Sequence, residues 1–177
     1  MGRGPLAGPV VTAAVILPQH VDLPGLTDSK KLSATRRVEL AELIKQQALC
    51  YAFGQASRSE IDQLNILQAT MVAMQRAVTA LPLTPDAVKI DGNRTPELPM
   101  HAEAIVGGDG LVPCISAASV IAKVERDALM RDLAKKYPEY GWQKNNGYPT
   151  KQHLLALQQY GVTPHHRRSF APVAKLL

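Results

Sequence analysis

A chain of 177 residues, 46% hydrophobic and 20% charged, buries a sizeable core in one ordinary domain, residues 1–177, and requires no second. Its longest apolar run, Val10 to Leu17, is interrupted by Thr12 and too short to span a bilayer, and no charged cleavable leader is recognisable, so a cytoplasmic protein without a membrane partner is expected. Two cysteines without CxxC pairing argue against a zinc ribbon and a secreted disulfide scaffold, while a net charge of +5 suits a polyanionic partner.

The chain opens on Gly2-Arg3-Gly4-Pro5, where two glycines let backbone amides approach a ligand and Arg3 offers a planar fork for a phosphate or sugar oxygen; a flexible glycine-rich start is the plainer reading. Pro9 to Leu17 is a β-branched run of strand length, of the kind buried on both faces. Asp22 to Asp28, with Pro24 and Gly25, ends it. Ser33 is placed to cap a helix over Ala34 to Leu49, whose Val38, Leu40, Leu43 and Ile44 form an apolar stripe. Cys50 to Ala56 reads as a strand. Ser59-Glu60-Ile61-Asp62 has capping-box spacing and opens a long helix in which Leu67, Met71, Met74, Val78 and Leu81 recur at helical steps. Pro82 to Pro85 stops that helix, and Ala87 to Asp91 and Ala102 to Val106 read as strands that run into glycine. Ser116 to Lys136 lacks glycine and proline and is predicted helical; Thr150 to Tyr160, followed by Gly161, makes a last helix. This order predicts an α/β fold with a mixed sheet.

Asp91 ends an apolar strand, where open α/β sheets place their ligand crevices, although Asp-Gly is also a common turn. Asp109, after Gly107-Gly108, repeats the arrangement at the next strand. Neighbouring strands lie about 4.8 Å apart, so two such carboxylates can converge on a hard divalent cation such as Mg²⁺ or Mn²⁺. The basic residues cluster at Lys30-Lys31, at Lys144 and at His165-His166-Arg167-Arg168; a solvated charge run is the default explanation of each. Tyr148 lies in a Gly/Pro turn just before a helix N-terminus, where phosphate is favoured and a ring can stack on a sugar or base. His165 and His166 lack facing i, i+4 geometry for metal, and phosphate contact or capping suits them as well. Ser116 and Ser119 have no histidine and acid arrangement near them, which argues against a serine hydrolase.

Taken together, Gly2-Arg3-Gly4-Pro5-Leu6-Ala7-Gly8-Pro9, Asp28-Ser29-Lys30-Lys31-Leu32, Ile61-Asp62-Gln63-Leu64-Asn65-Ile66, Ile90-Asp91-Gly92-Asn93, Ser116 to Val124, Gly147-Tyr148-Pro149-Thr150 and His166-Arg167-Arg168-Ser169-Phe170 make the chain resemble bacterial ribonuclease HII, a family of type 2 ribonucleases H. The resemblance implies a ribonuclease H-like mixed sheet flanked by helices with a C-terminal helical extension. It also implies a metal-dependent, monomeric endonuclease that cleaves RNA in RNA/DNA hybrids and incises 5′ to ribonucleotides embedded in duplex DNA. Two of the family's four metal-binding carboxylates map onto Asp91 and Asp109, which would serve two Mn²⁺ or Mg²⁺ ions in a complete site. Its recognition residues for the 2′-hydroxyl map onto Gly2, Arg3, Gly4 and Tyr148, and Lys30 and Lys31 become phosphate contacts. The family's Asp-Glu pair lies just upstream of the arginine loop, on the central strand, where this sequence has only Met1. The expectation is a chain lacking that strand, with a gap of roughly 9.6 Å between its former neighbours. A hybrid-binding protein that does not cleave is the alternative.

Overall fold

The computed structural model describes residues 1–177. Strand β1 (Val10–Ile16) pairs antiparallel with β2 (Cys50–Ala56), from Val10 opposite Ala56 to Ile16 opposite Cys50. β3 (Ala87–Asp91) pairs parallel with β4 (His101–Ile105), so Asp91 lies opposite Ile105. The strands therefore form two separate two-stranded sheets, one of each polarity, in place of one continuous mixed sheet; no ladder joins β1 to β3. β1 is fully buried only over Val10 to Thr12, and its second half is half-buried.

Helix α1 (Ala34–Gln47) starts as its sequence signals, with the Ser33 hydroxyl accepting from the Arg36 amide. Helix α2 (Arg58–Thr79) begins two residues earlier than the Ser59 spacing suggests: Ser57 is the cap, and the Glu60 carboxylate closes the box by accepting from the Ser57 amide. Asn65, at φ 69°, breaks α2, and its side-chain oxygen accepts from the Leu67 and Gln68 amides, capping the second half. Gly54 brings β2 against α2 so closely that a methyl group there would sit 2.0 Å from the Ala73 carbonyl.

A short α3 (Gly108–Leu111) leads into α4 (Pro113–Lys136), which begins three residues before Ser116 because Pro113 suits the first helical turn. α4 packs against both β1 and β3 and is the element common to the two sheets. Beyond it lie α5 (Trp142–Asn145), α6 (Lys151–Tyr160, capped by the Thr150 hydroxyl) and α7 (Ala171–Ala174), the expected helical C-terminal extension. Leu40, Ala41 and Ile44 of α1 bury against Ala117, Val120 and Ile121 of α4, while Leu6, Ala7, Met130, Trp142 and Leu157 form a second core under the extension. The first residues are stitched to that extension. The Leu6 amide donates to the Gly147 carbonyl, the Gly8 amide to that of His165 and the Arg167 amide to that of Leu6.

Candidate active site and nucleic-acid interface

Asp91 is the last residue of β3 and is exposed. Asp109 does not end β4; it lies in the first turn of α3, which Gly107 starts in the left-handed region at φ 69°. The parallel register nevertheless brings the two acids together, and the Asp109 amide donates to Asp91 Oδ1 at 3.4 Å. Burial first, then the charges of Asp91 and Asp28, push the Asp109 carboxyl above the usual carboxylate range. The Lys30 ammonium, 3.7 Å from Asp109 Oδ2 and largely exposed, works in the opposite direction. Asp28, Lys30 and the carboxylate pair thus share one edge of the molecule.

The Asp28–Leu32 turn is held from below. Arg37 of α1 donates to the Ser29 and Leu32 carbonyls at 2.8 Å each and lies 3.8 Å from Asp127 of α4. Lys31 is exposed beside Lys30. Within the turn, the Ser29 hydroxyl is buried without a hydrogen-bond partner.

A second surface forms where the start of the chain meets the Asn146–Thr150 turn. Gly2 is buried at φ 84°, while Arg3 and Gly4 are exposed. The Tyr148 ring lies over Gly4: a methyl group on Gly4 would touch Tyr148 Cε1 at 3.4 Å. Gly147, at φ 81°, approaches the same loop so closely that a methyl group there would lie 2.8 Å from the Ala7 carbonyl. Arg3, Gly4 and Tyr148 therefore make one exposed face of guanidinium, bare backbone and aromatic ring. α4 links this face to the carboxylates, since the Ser116 hydroxyl donates to the Asp109 carbonyl and Arg126 reaches the loop, about 15 Å further along the helix.

The basic and histidine cluster near the C-terminus is not a solvated charge run. Arg167 and His166 are fully buried, as are Arg126 and His153. The Arg167 guanidinium donates to the carbonyls of Gly2, Arg3, Gly8 and Pro9, and Arg126 donates to those of Ala7, Pro9 and Asn146. His166 is neither a phosphate contact nor a metal ligand, because both of its ring nitrogens are engaged. Nδ1 accepts from the Thr163 amide, which leaves Nε2–H to donate to His153 Nε2 at 3.0 Å. His153 Nε2 also accepts from Trp142 Nε1, while its Nδ1–H donates to the Tyr148 carbonyl at 2.9 Å. Burial foremost, then the neighbouring His153 and His165, hold His166 down at about 3, and burial lowers His153 as well. The sequence offers His166 and Arg167 only as part of a surface cluster and gives no sign of Arg126 or His153, because arginine and histidine ordinarily count as surface groups; pairing Arg167 with the glycine-rich loop requires a contact across more than 160 residues.

An acidic pair at a parallel strand end, flanked by an exposed lysine and joined through one helix to an arginine-glycine loop, is set in an α/β fold of the ribonuclease H-like class. A family model for ribonuclease HII matches residues 1–173. Ribonuclease HII of Vibrio parahaemolyticus is 58% identical over 177 residues, covering the whole of this chain and 84% of the relative; that of Neisseria meningitidis is 59% identical, covering 99% and 91%. The crystal structure of ribonuclease H2 from Pyrococcus horikoshii superposes with a TM-score of 0.81 at 28% identity, covering 99% of this chain and 93% of that one. The chain belongs to the ribonuclease HII family and is a ribonuclease H enzyme by that membership. No helix is long and apolar enough to cross a membrane.

Proposed function

We propose that the chain acts on the RNA strand of RNA/DNA hybrids and incises 5′ to ribonucleotides embedded in duplex DNA, a step of ribonucleotide removal in replication and repair. The observation that carries this reading is the packing of Tyr148 on Gly4 beside Arg3. A ring stacks on a sugar or base, and the Arg3 and Gly4 amides, which donate to no protein group, suit a 2′-hydroxyl oxygen. Lys30, and Lys31 next to it, meet the phosphates nearest the carboxylate edge.

The carboxylates suit a hard divalent cation, Mn²⁺ or Mg²⁺, in donor chemistry and in charge. Burial first, then the charges of Asp91 and Asp28, raise the pKa of Asp109, a tension that a cation relieves. Asp91 and Asp109 would hold it, as part of a ligand set, since no group of three or more candidate ligands gathers in this structure. Such a cation, when bound, polarises a phosphodiester and lowers the pKa of water. Lys30 orients the neighbouring phosphate, and the loop and Tyr148 set which sugar is presented.

Incubating the 177-residue protein with Mn²⁺ and a duplex carrying one ribonucleotide tests the reading. Incision 5′ to that residue, lost in Asp91→Asn, is expected; incision that survives the substitution refutes the ligand assignment. The meeting of only two carboxylates favours one second reading, a protein that binds hybrids without cleaving them, and salt-sensitive binding with no incision would select it.

A further inference from the structure

Arginine is seldom fully buried without a carboxylate, because transfer from water is costly and a neighbouring acid usually offsets it. Arg126 is 1% exposed and Arg167 0%, yet neither takes part in an ion pair within 4.0 Å. They also face each other across the Pro9 carbonyl, which accepts from Arg126 Nε at 3.1 Å and from Arg167 Nη2 at 3.3 Å. Burial, and for Arg167 the second guanidinium, both disfavour the charge. In place of a carboxylate, backbone carbonyls satisfy both guanidinium groups.

What the forks do accomplish is to fix peptide planes. Arg167 holds the Gly2 carbonyl at 2.7 Å, the Arg3 carbonyl at 3.0 Å and the Gly8 carbonyl at 3.0 Å. In a trans peptide the carbonyl and the following N–H point in opposite directions. Drawing the Gly2 and Arg3 carbonyls inward therefore turns the Arg3 and Gly4 amides outward, where neither has a protein partner. Arg126 carries the second half of the arrangement. Its Nη1 donates to Asn146 at 3.0 Å, two residues before Tyr148, and its Nη2 to Ala7 at 3.2 Å, so one side chain ties the tyrosine turn to the loop.

We propose that Arg126 and Arg167 are positioning residues for ribonucleotide recognition: together they aim the Arg3 and Gly4 amides at the substrate sugar and hold Tyr148 beside them. The proposal rests on the recognition role given above to Gly2–Gly4 and Tyr148. Lysine keeps the charge but loses the planar fork, so Arg167→Lys and Arg126→Lys separate orientation from electrostatics.

The test is binding of the 177-residue protein, by fluorescence anisotropy, to an all-DNA duplex and to the same duplex with one ribonucleotide, over a range of NaCl. In Arg167→Lys the preference for the ribonucleotide duplex should fall about tenfold. Affinity for all-DNA and its salt slope should stay close to wild type, since no phosphate contact is lost. A lysine variant that keeps the wild-type preference, or weakens both duplexes equally, overturns the proposal. Wild-type protein that shows no preference refutes the recognition reading itself, and the positioning role falls with it. Should a lysine variant lack a cooperative unfolding transition, wild-type protein supplies the measurement: the Arg126 and Arg167 Nε–H NMR signals should shift with the ribonucleotide duplex and not with all-DNA. Signals unmoved by either, or moved alike by both, overturn the proposal.

Discussion

Acidifying a solution of this protein from pH 7 to pH 5 should destabilise it through one buried pair, His153 and His166. Both rings are fully buried and fully hydrogen-bonded as neutral imidazoles. A proton on His166 Nδ1 would face the Thr163 N–H, and a proton on His153 Nε2 would face Trp142 Nε1–H and His166 Nε2–H. Tyr140 and His165 complete the surroundings, and no carboxylate pairs with either ring to stabilise a cation. Burial holds His166 in the folded protein at about 3, against 6.5 for an ordinary solvated imidazole. The unfolded chain therefore binds more protons between these values, and stability that is complete above pH 6.5 is lost as pH falls toward 3. Between pH 7 and pH 5 this linkage amounts to up to about 2 kcal/mol for His166. For a chain of this length that corresponds to a Tm lower by roughly 4–8 °C. His153 and His165, also lowered, add in the same direction. Circular-dichroism melting across this pH range, for wild type and His166→Gln, makes the comparison. The variant should melt lower at pH 7 but change less on acidification; parallel pH profiles for the two proteins would refute the buried neutral pair as the source.

Three further outcomes are expected. Gly54→Ala places a methyl group against the Ala73 carbonyl and should cost about 3 kcal/mol in urea unfolding, because backbone on the facing helix cannot yield as a side chain would. Asp62→Ala removes the acceptor of the Arg168 and Ser169 amides and of the Ser169 hydroxyl. It should cost about 2 kcal/mol and speed hydrogen exchange at residues 168 and 169, with unchanged exchange counting against that clamp. Tyr148→Ala should reduce preference for a ribonucleotide-bearing duplex more than it weakens binding to all-DNA, and equal losses would argue against its recognition role.

Periodicity and capping chemistry are local, and the elements that depend on them are readable from the chain. Ser33, Thr150 and Gly161 mark helix ends because their side chains or φ angles act on backbone within a few residues. Asp91 and Asp109 are legible as a pair because strand ends and glycines mark where a sheet presents its carboxyl edge. Near misses are also local: Ser57, two residues upstream of Ser59, wins the cap because the Glu60 carboxylate returns to its amide. Asn65 breaks α2 through its own side-chain cap, a competition that the apolar spacing does not record.

By itself the sequence determined the order of the four strands and of the long helices α1, α2, α4 and α6, the α/β class, the acidic pair and the glycine-arginine loop, since each rests on neighbours in the chain. Only the tertiary structure decided how the strands divide into two sheets, that Tyr148 rests on Gly4, and that Arg126, His153, His166 and Arg167 lie inside. The physical reason is reach. Burial of a charged or titratable side chain depends on carbonyls and rings brought from distant parts of the chain, and Arg167 meets Gly2 across 165 positions.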